Sequence, residues 1–185
     1  AQNILGIIYY EGKYVPRDIN KSIYYLEHAA NKKHFEAQYL LGKIYYENKY
    51  IKRDMNKSIY YLTMAANQNH PDAQNTLGIL YQEGLFIERD INKSMHYLKL
   101  AANQNYPASL YNLGILYCES NNINCNIEKG IHYLTDAANH NDSNSQYILG
   151  IFYLKGLYFQ KNIYKASQYF YLAAKQNHIS AQFML

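Results

Sequence analysis

The sequence has few cysteines, and the two it contains do not form a pattern that would hold a fold together. Cys118 and Cys125 lie close together in one stretch of the 185-residue chain. Small secreted domains that depend on disulfides carry more cysteines, at regular spacings. We therefore expect two ordinary thiols, with a local bridge between Cys118 and Cys125 as the alternative.

Long apolar runs and an excess of one charge are also missing. No stretch of about 18 apolar residues could span a bilayer, and no charged start leads into an apolar leader. The net charge is +4, from 18 basic and 14 acidic residues that are intermixed. This pattern predicts no membrane insertion and no nucleic-acid partner, because phosphate binding requires a basic stripe. We expect a cytoplasmic protein, with the endoplasmic-reticulum lumen as the alternative because Asn20, Asn56 and Asn92 begin Asn-Lys-Ser glycosylation sequons.

Motifs that carry chemistry are absent as well. The chain has no Gly-rich phosphate loop, no Cys-x-x-Cys, no His-Glu-x-x-His and no Gly-x-Ser-x-Gly. His34, His70 and His178 share one position of the repeat described below, but equivalent positions of adjacent repeats lie about 10 Å apart, too far to share a zinc ion. The sequence predicts no catalytic residue, no metal ligand and no cofactor.

A strict internal period dominates what is present. The dipeptide Leu-Gly recurs every 36 residues, and a Tyr, a Lys and an Ala-Ala pair recur with the same offset. Such a period is typical of repeat architectures, in which each unit buries its apolar face against the next. We predict one domain, 1–185, which is part of a longer chain. Its repeats are 1–36, 37–72, 73–108, 109–144 and 145–180, and 181–185 begins a sixth.

The first half of each repeat has the pattern of an amphipathic helix. In the second repeat, Ala37, Leu41, Ile44 and Tyr45 follow the i, i+4, i+7, i+8 spacing of a buried face. Gly42 inside this helix indicates close approach by a neighbouring helix, because glycine is unfavourable there. A residue that tolerates a left-handed backbone is expected to end the helix. These residues are Gly12, Asn48, Gly84, Ser120 and Gly156.

The second half of each repeat predicts another helix, with a marked start. Asp or Asn stands at the expected N-cap, where its side-chain oxygen can accept from a first-turn amide. The N-caps are Asp18, Asp54, Asp90, Asn126 and Asn162. The buried face that follows in repeat two is Ser58, Tyr61, Leu62, Ala65 and Ala66. Asn69, Asn105, Asn141 and Asn177 are expected to close this helix, and Pro71 and Pro107 to prevent its continuation.

These residues resemble a known family. The pattern Ala-Gln-x-x-Leu-Gly-x-x-Tyr-x-x-Gly followed by Arg-Asp-x-x-Lys-Ser-x-x-Tyr-Leu-x-x-Ala-Ala is similar to the Sel-one-like repeat, a relative of the tetratricopeptide repeat. The resemblance covers the whole chain. It implies an all-α fold, a right-handed superhelical α-solenoid of stacked antiparallel helix hairpins. Repeat four departs most, with Ser120, Cys125 and Gly130 at motif positions, which predicts a looser turn between its helices.

A binding surface is predicted from the helical wheel of the first helices. Residues opposite the core face would line the concave groove of a tetratricopeptide-like stack. This surface is rich in Tyr and Ile, and apolar area of this kind indicates a partner that covers it. Lys43 is its only cation, so a protein segment with apolar side chains is the expected ligand. The groove residues are Tyr39, Lys43, Tyr46, Asn75, Ile79, Gln82, Tyr111, Ile115, Tyr147 and Ile151.

The resemblance implies a non-catalytic scaffold or adaptor that binds a partner protein. Within that family, the chain would suit the repeat arm of an adaptor in endoplasmic-reticulum protein degradation or of a repeat-bearing protein kinase, with further domains attached. Two other classes are less well supported. An RNA-binding helical repeat would need a basic groove, and the bacterial hydrolase-like relatives have paired cysteines in successive repeats.

Overall fold

The computed structural model describes residues 1–47, 49–119 and 126–185, which form α-helices and no strand. The prediction of an all-α fold is therefore confirmed. In chain order the helices of this part are α1 (Gln2–Glu11), α2 (Ile19–Ala30), α3 (Phe35–Glu47), α4 (Met55–Ala66), α5 (Pro71–Glu83), α6 (Ile91–Ala102), α7 (Pro107–Cys118), α8 (Ile127–Asn139), α9 (Ser143–Lys155), α10 (Ile163–Lys175) and α11 (Ile179–Gln182).

The helices are grouped into two compact units, Ala1–Ala101 and Ala102–Leu185. In the first unit, α1 pairs with α2 and α3 with α4, while α2 packs on α3 and α4 on α5. In the second, α7 pairs with α8 and α9 with α10, while α8 packs on α9 and α10 on α11. Each unit is therefore a stack of helix hairpins.

The two helices of a hairpin are antiparallel, and polar contacts along the first one show this. The Asp18 amide donates to the Tyr9 carbonyl near the turn, and Ser22 Oγ donates to the Gly6 carbonyl at 2.8 Å farther from it. The predicted N-caps are confirmed, because each accepts from the backbone N–H three residues on at 2.9–3.0 Å. Each second helix therefore begins where the sequence predicts.

Left-handed residues connect the helices as expected. Gly12, Gly84 and Gly156 have φ of 66°, 64° and 71° and end α1, α5 and α9. Asn69, Asn105, Asn141 and Asn177 are also left-handed, with φ of 58–64°. Pro71 and Pro107 are the first residues of α5 and α7, where a missing N–H does no harm. The predictions for Asn48, for Ser120 and for a looser turn in repeat four lie outside the described residues.

The buried faces agree with the periodicity, except that Tyr61, predicted on the buried face of α4, is half-buried at its edge. Ala37 and Leu41 are fully buried, and Ile44 and Tyr45 are 4% and 6% exposed. A Cβ on Gly42 would lie 2.6 Å from Leu62 Cγ and 3.1 Å from the Leu62 amide nitrogen, which confirms the close approach of α4. The interior is therefore packed where first and second helices cross.

Buried glutamines connect successive hairpins, a role that the sequence analysis does not assign. Gln38 and Gln146 are 0% and 1% exposed, and each donates to the carbonyl of the last Ala of the preceding helix, at 3.0 and 3.1 Å. Gln74 makes the same bond to Ala66 at 3.0 Å. Repeat four has Leu110 at this position, where it is buried among apolar residues.

Two predictions about sequence features have partial outcomes. Cys118 is half-buried against the cluster around Leu134 and Leu149, whereas Cys125 lies outside the described residues, so the pairing prediction stays a prediction. In the described part of the chain, no helix combines the length and apolar character needed to cross a bilayer.

Candidate interaction surface

The structure places the ten predicted groove residues on the first helices of four repeats. In the first unit, Tyr39, Lys43 and Tyr46 lie on α3, and Asn75, Ile79 and Gln82 on α5. In the second unit, Tyr111 and Ile115 lie on α7, and Tyr147 and Ile151 on α9. All are half-buried except Asn75, which is 9% exposed. The surface that they would form is therefore partly packed against the core.

Tyr39 illustrates this packing. Its ring packs against the core cluster around Leu62 and Leu77 and stacks on the His70 ring, with centroids 4.6 Å apart and planes at 26°. Burial raises the pKa of Tyr39, and the Asp72 carboxylate adds to the effect. The hydroxyl therefore stays protonated at neutral pH and can donate a hydrogen bond at the edge of the surface.

His70 combines capping with stacking. It is 6% exposed, and its Nδ1 accepts from the Ala73 amide at 3.3 Å, so Nε2 carries the proton and faces Glu36 Oε2 at 3.4 Å. His178 repeats the arrangement in the second unit, where it caps α11 and stacks on Tyr147 at 4.8 Å. These histidines therefore have structural roles. Within 1–47, 49–119 and 126–185, no group of three His, Cys, Asp or Glu side chains could hold a metal ion.

An arginine supports Tyr46, and the sequence analysis does not assign this contact. Arg53 Nε donates to the Tyr46 carbonyl at 2.8 Å, which satisfies the end of α3, and the guanidinium lies 3.9 Å from the Phe86 ring centroid. Tyr46 meets Phe86 edge-on at 6.3 Å. Arg17 makes the same kind of contact in the preceding repeat, where it lies 4.9 Å from the Tyr50 ring. The Arg-Asp motif therefore joins successive inter-helix turns.

The remaining groove residues of the first unit differ in accessibility. Lys43 forms an ion pair with Glu47 at 3.5 Å, and both side chains are substantially exposed. Asn75 is buried, whereas Ile79 and Gln82 are half-buried. The Gln82 carbonyl accepts from Arg89 Nε at 3.0 Å, the same role that Arg53 has one repeat earlier. Both α3 and α5 therefore contribute accessible residues to this half of the surface.

In the second unit, the surface is aromatic and uncharged. Tyr111 and Ile115 pack against the cluster around Leu134 and Leu149, and burial together with Asp142 raises the pKa of Tyr111. Tyr147 contacts Phe170 at 5.8 Å as well as His178. Each tyrosine thus offers part of a ring and a hydroxyl group at this surface.

Comparison with known proteins identifies the family. A family model described as the Sel1 repeat, which is the Sel-one-like repeat, matches residues 1–34, 35–70, 71–106, 107–142 and 143–178. The chain belongs to the Sel1 repeat family. Its fold is the α-solenoid of that family, and proteins built from Sel1 repeats are typically interaction scaffolds.

Solved structures agree with this assignment. A Sel1 repeat protein from Oxalobacter formigenes is 35% identical, with a TM-score of 0.92 over 98% of this chain and 52% of its own length. A protective antigen of uropathogenic Escherichia coli strains that displays an SLR fold is 27% identical, with a TM-score of 0.90 over 100% of this chain and 39% of its own. Cysteine rich protein B of Helicobacter pylori shares the fold alone, at 20% identity and a TM-score of 0.55 over 72% of this chain and 96% of its own.

In the first two comparisons, the match covers nearly all of this chain but a smaller share of the other chain. This chain spans about half or less of the Oxalobacter and Escherichia chains that it resembles. No curated protein matches it significantly. These comparisons therefore do not identify what the Sel1 repeats of this chain bind.

Proposed function

We propose that the chain is a non-catalytic scaffold or adaptor that binds a segment of a partner protein across the first-helix surface. The main observation behind the proposal is that half-buried tyrosines recur on α3, α7 and α9. Each ring packs against a histidine ring or a cluster of core residues. His70 supports Tyr39, His178 supports Tyr147, and the Leu134 cluster supports Tyr111. A supported tyrosine loses little entropy on binding, which favours an interface.

The charge of this surface indicates the kind of partner. Lys43 is the only cation among the ten residues, and it is already paired with Glu47. An RNA-binding surface would need several cations and would bind less tightly as salt increases. A peptide that presents apolar and aromatic side chains fits better, and its affinity should depend only weakly on ionic strength.

The surface can be tested first by crosslinking. We would place a photoreactive phenylalanine analogue at Ile79 or Ile151 on the proposed surface, and at exposed Tyr60 on the outer side of α4 as the control. After irradiation in a lysate of the native host, mass spectrometry would identify the crosslinked segment. The proposal predicts one recurrent segment from the two surface positions and not from the control.

The recovered segment would then be titrated against matched variants. Tyr46→Ala and Tyr111→Ala remove rings from the surface, whereas Tyr60→Ala and Tyr164→Ala remove the same atoms from exposed sites on α4 and α10. Loss of a central aromatic anchor typically weakens binding by about 2 kcal/mol or more, roughly 30-fold. Equal affinity for all four folded variants, or release by salt alone, would refute the surface.

The cellular context belongs to the same proposal. The chain would serve equally as the repeat arm of a degradation adaptor in the endoplasmic reticulum or of a repeat-bearing protein kinase. These contexts differ in what is joined to the repeats. Reading the full-length reading frame for a kinase domain, a leader or an anchor distinguishes them.

A further inference from the structure

A second recurring feature lies at the edge of the core rather than on the first-helix surface. A tyrosine of each first helix stacks on a tyrosine 16 residues later, with centroids 5.7–6.1 Å apart and nearly parallel rings. A lysine 12 residues after the first tyrosine lies 4.9–6.0 Å from its ring. We call each group a tyrosine step. The steps are Tyr9–Tyr25–Lys21, Tyr45–Tyr61–Lys57, Tyr81–Tyr97–Lys93, Tyr117–Tyr133–Lys129 and Tyr153–Tyr169–Lys165.

One tyrosine step holds a carboxylate that the chain itself supplies. Glu27 Oε1 accepts from the Tyr45 hydroxyl at 3.3 Å and from the Tyr61 hydroxyl at 3.5 Å. Lys57 Nζ lies 3.5 Å from the same Tyr45 hydroxyl. Burial first, and then the Glu27 charge, raises the pKa of each of these two tyrosines to about 12. Both hydroxyls are therefore protonated donors at neutral pH, and the three side chains form a site for one carboxylate.

The same position is not acidic in the second unit. Thr135 is the equivalent of Glu27 beside the step formed by Tyr153, Tyr169 and Lys165, and its hydroxyl donates to the Ile131 carbonyl within α8 at 2.8 Å. In the portion of the chain that the structure describes, no group accepts a hydrogen bond from the Tyr153 or Tyr169 hydroxyl. This step has the donors of the first unit without the carboxylate.

An open depression of about 490 Å³ lies at this step. Tyr153, Tyr169 and Lys165 line it, together with Asn139 and Gln168. Its rim is apolar, because Tyr171 and Leu172 are 55% and 45% exposed. The depression therefore combines the Lys165 ammonium and several hydrogen-bond donors with an adjoining apolar surface, and the Lys175 ammonium lies 5.5 Å from the Tyr171 ring beside it.

We propose that the Tyr153–Tyr169–Lys165 step binds the side-chain carboxylate of a Glu or Asp in a partner protein, with an apolar neighbour of that residue on Tyr171 and Leu172. The Glu27 contacts in the first unit show the mode of binding. There, two phenol hydroxyls donate to the carboxylate, and the Lys57 ammonium lies 3.5 Å from one of these hydroxyls. At the fifth repeat, Lys165 would supply the positive charge beside the bound carboxylate. A phosphorylated side chain carries up to two negative charges and is typically held by several cations, so it fits less well.

This site goes beyond the first-helix surface and uses none of its residues. The two can therefore be tested separately. A partner that contacts both would be held at two points, which increases affinity.

The test uses blocked peptides and the whole chain. We would titrate an acetylated, amidated Gly-Glu-Leu-Gly peptide and its Gln and phosphoserine counterparts, and follow ring resonances of labelled tyrosine assigned with Tyr153→Phe. A charged hydrogen bond is worth about 1.5–3 kcal/mol, so the Glu peptide should bind at least about 10-fold more tightly than the Gln peptide. Equal binding of Glu and Gln, tighter binding of phosphoserine, or no binding at about 10 mM would overturn the proposal.

Substitutions at the step decide the mechanism. Thr135→Glu should supply an internal carboxylate, as Glu27 does, and abolish peptide binding, whereas the equally long and neutral Thr135→Gln should retain more of it. Lys165→Gln on the exposed face of α10 should weaken binding about 10-fold or more, and Lys165→Arg less. Tyr46→Ala on the other surface should have no effect. Unchanged binding in folded Thr135→Glu and Lys165→Gln proteins would also refute the site.

Discussion

The second and fifth repeats solve the same packing problem with different side chains. In repeat two, α3 and α4 cross at Gly42, where Leu62 fills the space and Ser58 Oγ donates to the Gly42 carbonyl at 2.8 Å. In repeat five, Phe170 fills the space at the equivalent Gly150, and Ala166 replaces the serine.

Other contacts of these two repeats are nearly identical. Gln38 and Gln146 bond to the preceding alanine carbonyls, and each also accepts from a glutamine 30 residues later, at 2.6 and 2.9 Å. The N-caps and the tyrosine stacking match as well. The comparison teaches that the capping and glutamine contacts of these two repeats stay the same, whereas the apolar side chain that fills the crossing differs.

The largest effects should come from truncating Leu62 and Phe170, the side chains that fill the space at Gly42 and Gly150. Leu62→Ala should cost about 2–5 kcal/mol and Phe170→Ala about 3–5 kcal/mol of unfolding free energy, because both side chains are buried and leave a cavity. Urea denaturation would measure both. Ser167→Ala on the exposed side of α10 serves as the control and should change stability by less than about 0.5 kcal/mol. If either substitution lowered the unfolding free energy by less than about 1 kcal/mol, the two helix crossings would not be equivalent.

The glutamine contacts should come next. Gln38→Leu and Gln146→Leu should each cost about 1–3 kcal/mol, since buried hydrogen-bonding groups lose their partners. Leu110 shows that repeat four accommodates leucine at this position, so the new side chain itself can be packed. Thermal unfolding of the two variants and of the exposed control Gln168→Leu would test this. The prediction is wrong if the buried changes are as mild as the control.

Exchanging serine and alanine at the equivalent positions 58 and 166 would sharpen the comparison. Ser58→Ala removes a buried hydrogen bond and should cost about 1 kcal/mol. Ala166→Ser should be close to neutral, because the new hydroxyl can donate to the Gly150 carbonyl as Ser58 does to Gly42. Differential scanning calorimetry of both single variants would measure the pair. A destabilisation by Ala166→Ser as large as that of Ser58→Ala would show that the fifth crossing leaves no room for the bond.

The smallest effect at neutral pH concerns the tyrosine step. Glu27→Gln should change stability by less than about 1 kcal/mol at pH 7, because the amide oxygen can still accept from both hydroxyls and the site is only half-buried. The folded pKa of Tyr45 and Tyr61 is about 12, above the usual unfolded value near 10. Their contribution to stability is thus complete below about pH 10 and is lost as pH rises towards 12.

The measurement is a titration of phenolate absorbance. In Glu27→Gln the pKa of both tyrosines should fall, because the neighbouring negative charge that raises them is gone. Glu88→Gln removes an exposed carboxylate that is not among the charges raising these pKa values, and it is the control. Unchanged titration in Glu27→Gln would mean that the Tyr45–Tyr61–Lys57 step does not hold its carboxylate in solution.

Much of the fold was predictable from recurrence. The spacing of Ala37, Leu41, Ile44 and Tyr45 marks a buried face because a helix turns every 3.6 residues. The N-cap at Asp54 could be recognised because the residues that it satisfies are local. Contacts between helices could not be predicted in this way, because the roles of Gln38 and Arg53 depend on groups in neighbouring turns and hairpins.

The candidate surface was predictable in position but not in exposure. The wheel places Tyr39 and Asn75 on the same arc, yet one is half-buried and the other 9% exposed. A wheel describes one helix, whereas exposure depends on the next hairpin in the stack. The tyrosine steps were missed for a related reason. Tyr45 and Tyr61 recur visibly at a separation of 16, but only antiparallel packing makes that spacing a contact.

The sequence by itself determined the period and the family, because both are recurrences of residue types that can be read without any contact. It also determined the helices with their caps, which rest on residues close together in the chain. The tertiary structure decided which of the recurring side chains meet. It brings Glu27 of one hairpin between the hydroxyls of Tyr45 and Tyr61 in the next, and leaves Thr135 at the equivalent place in the second unit. The physical reason is that hydrogen bonds act over about 3 Å, whereas the residues that make them are 18 to 34 positions apart.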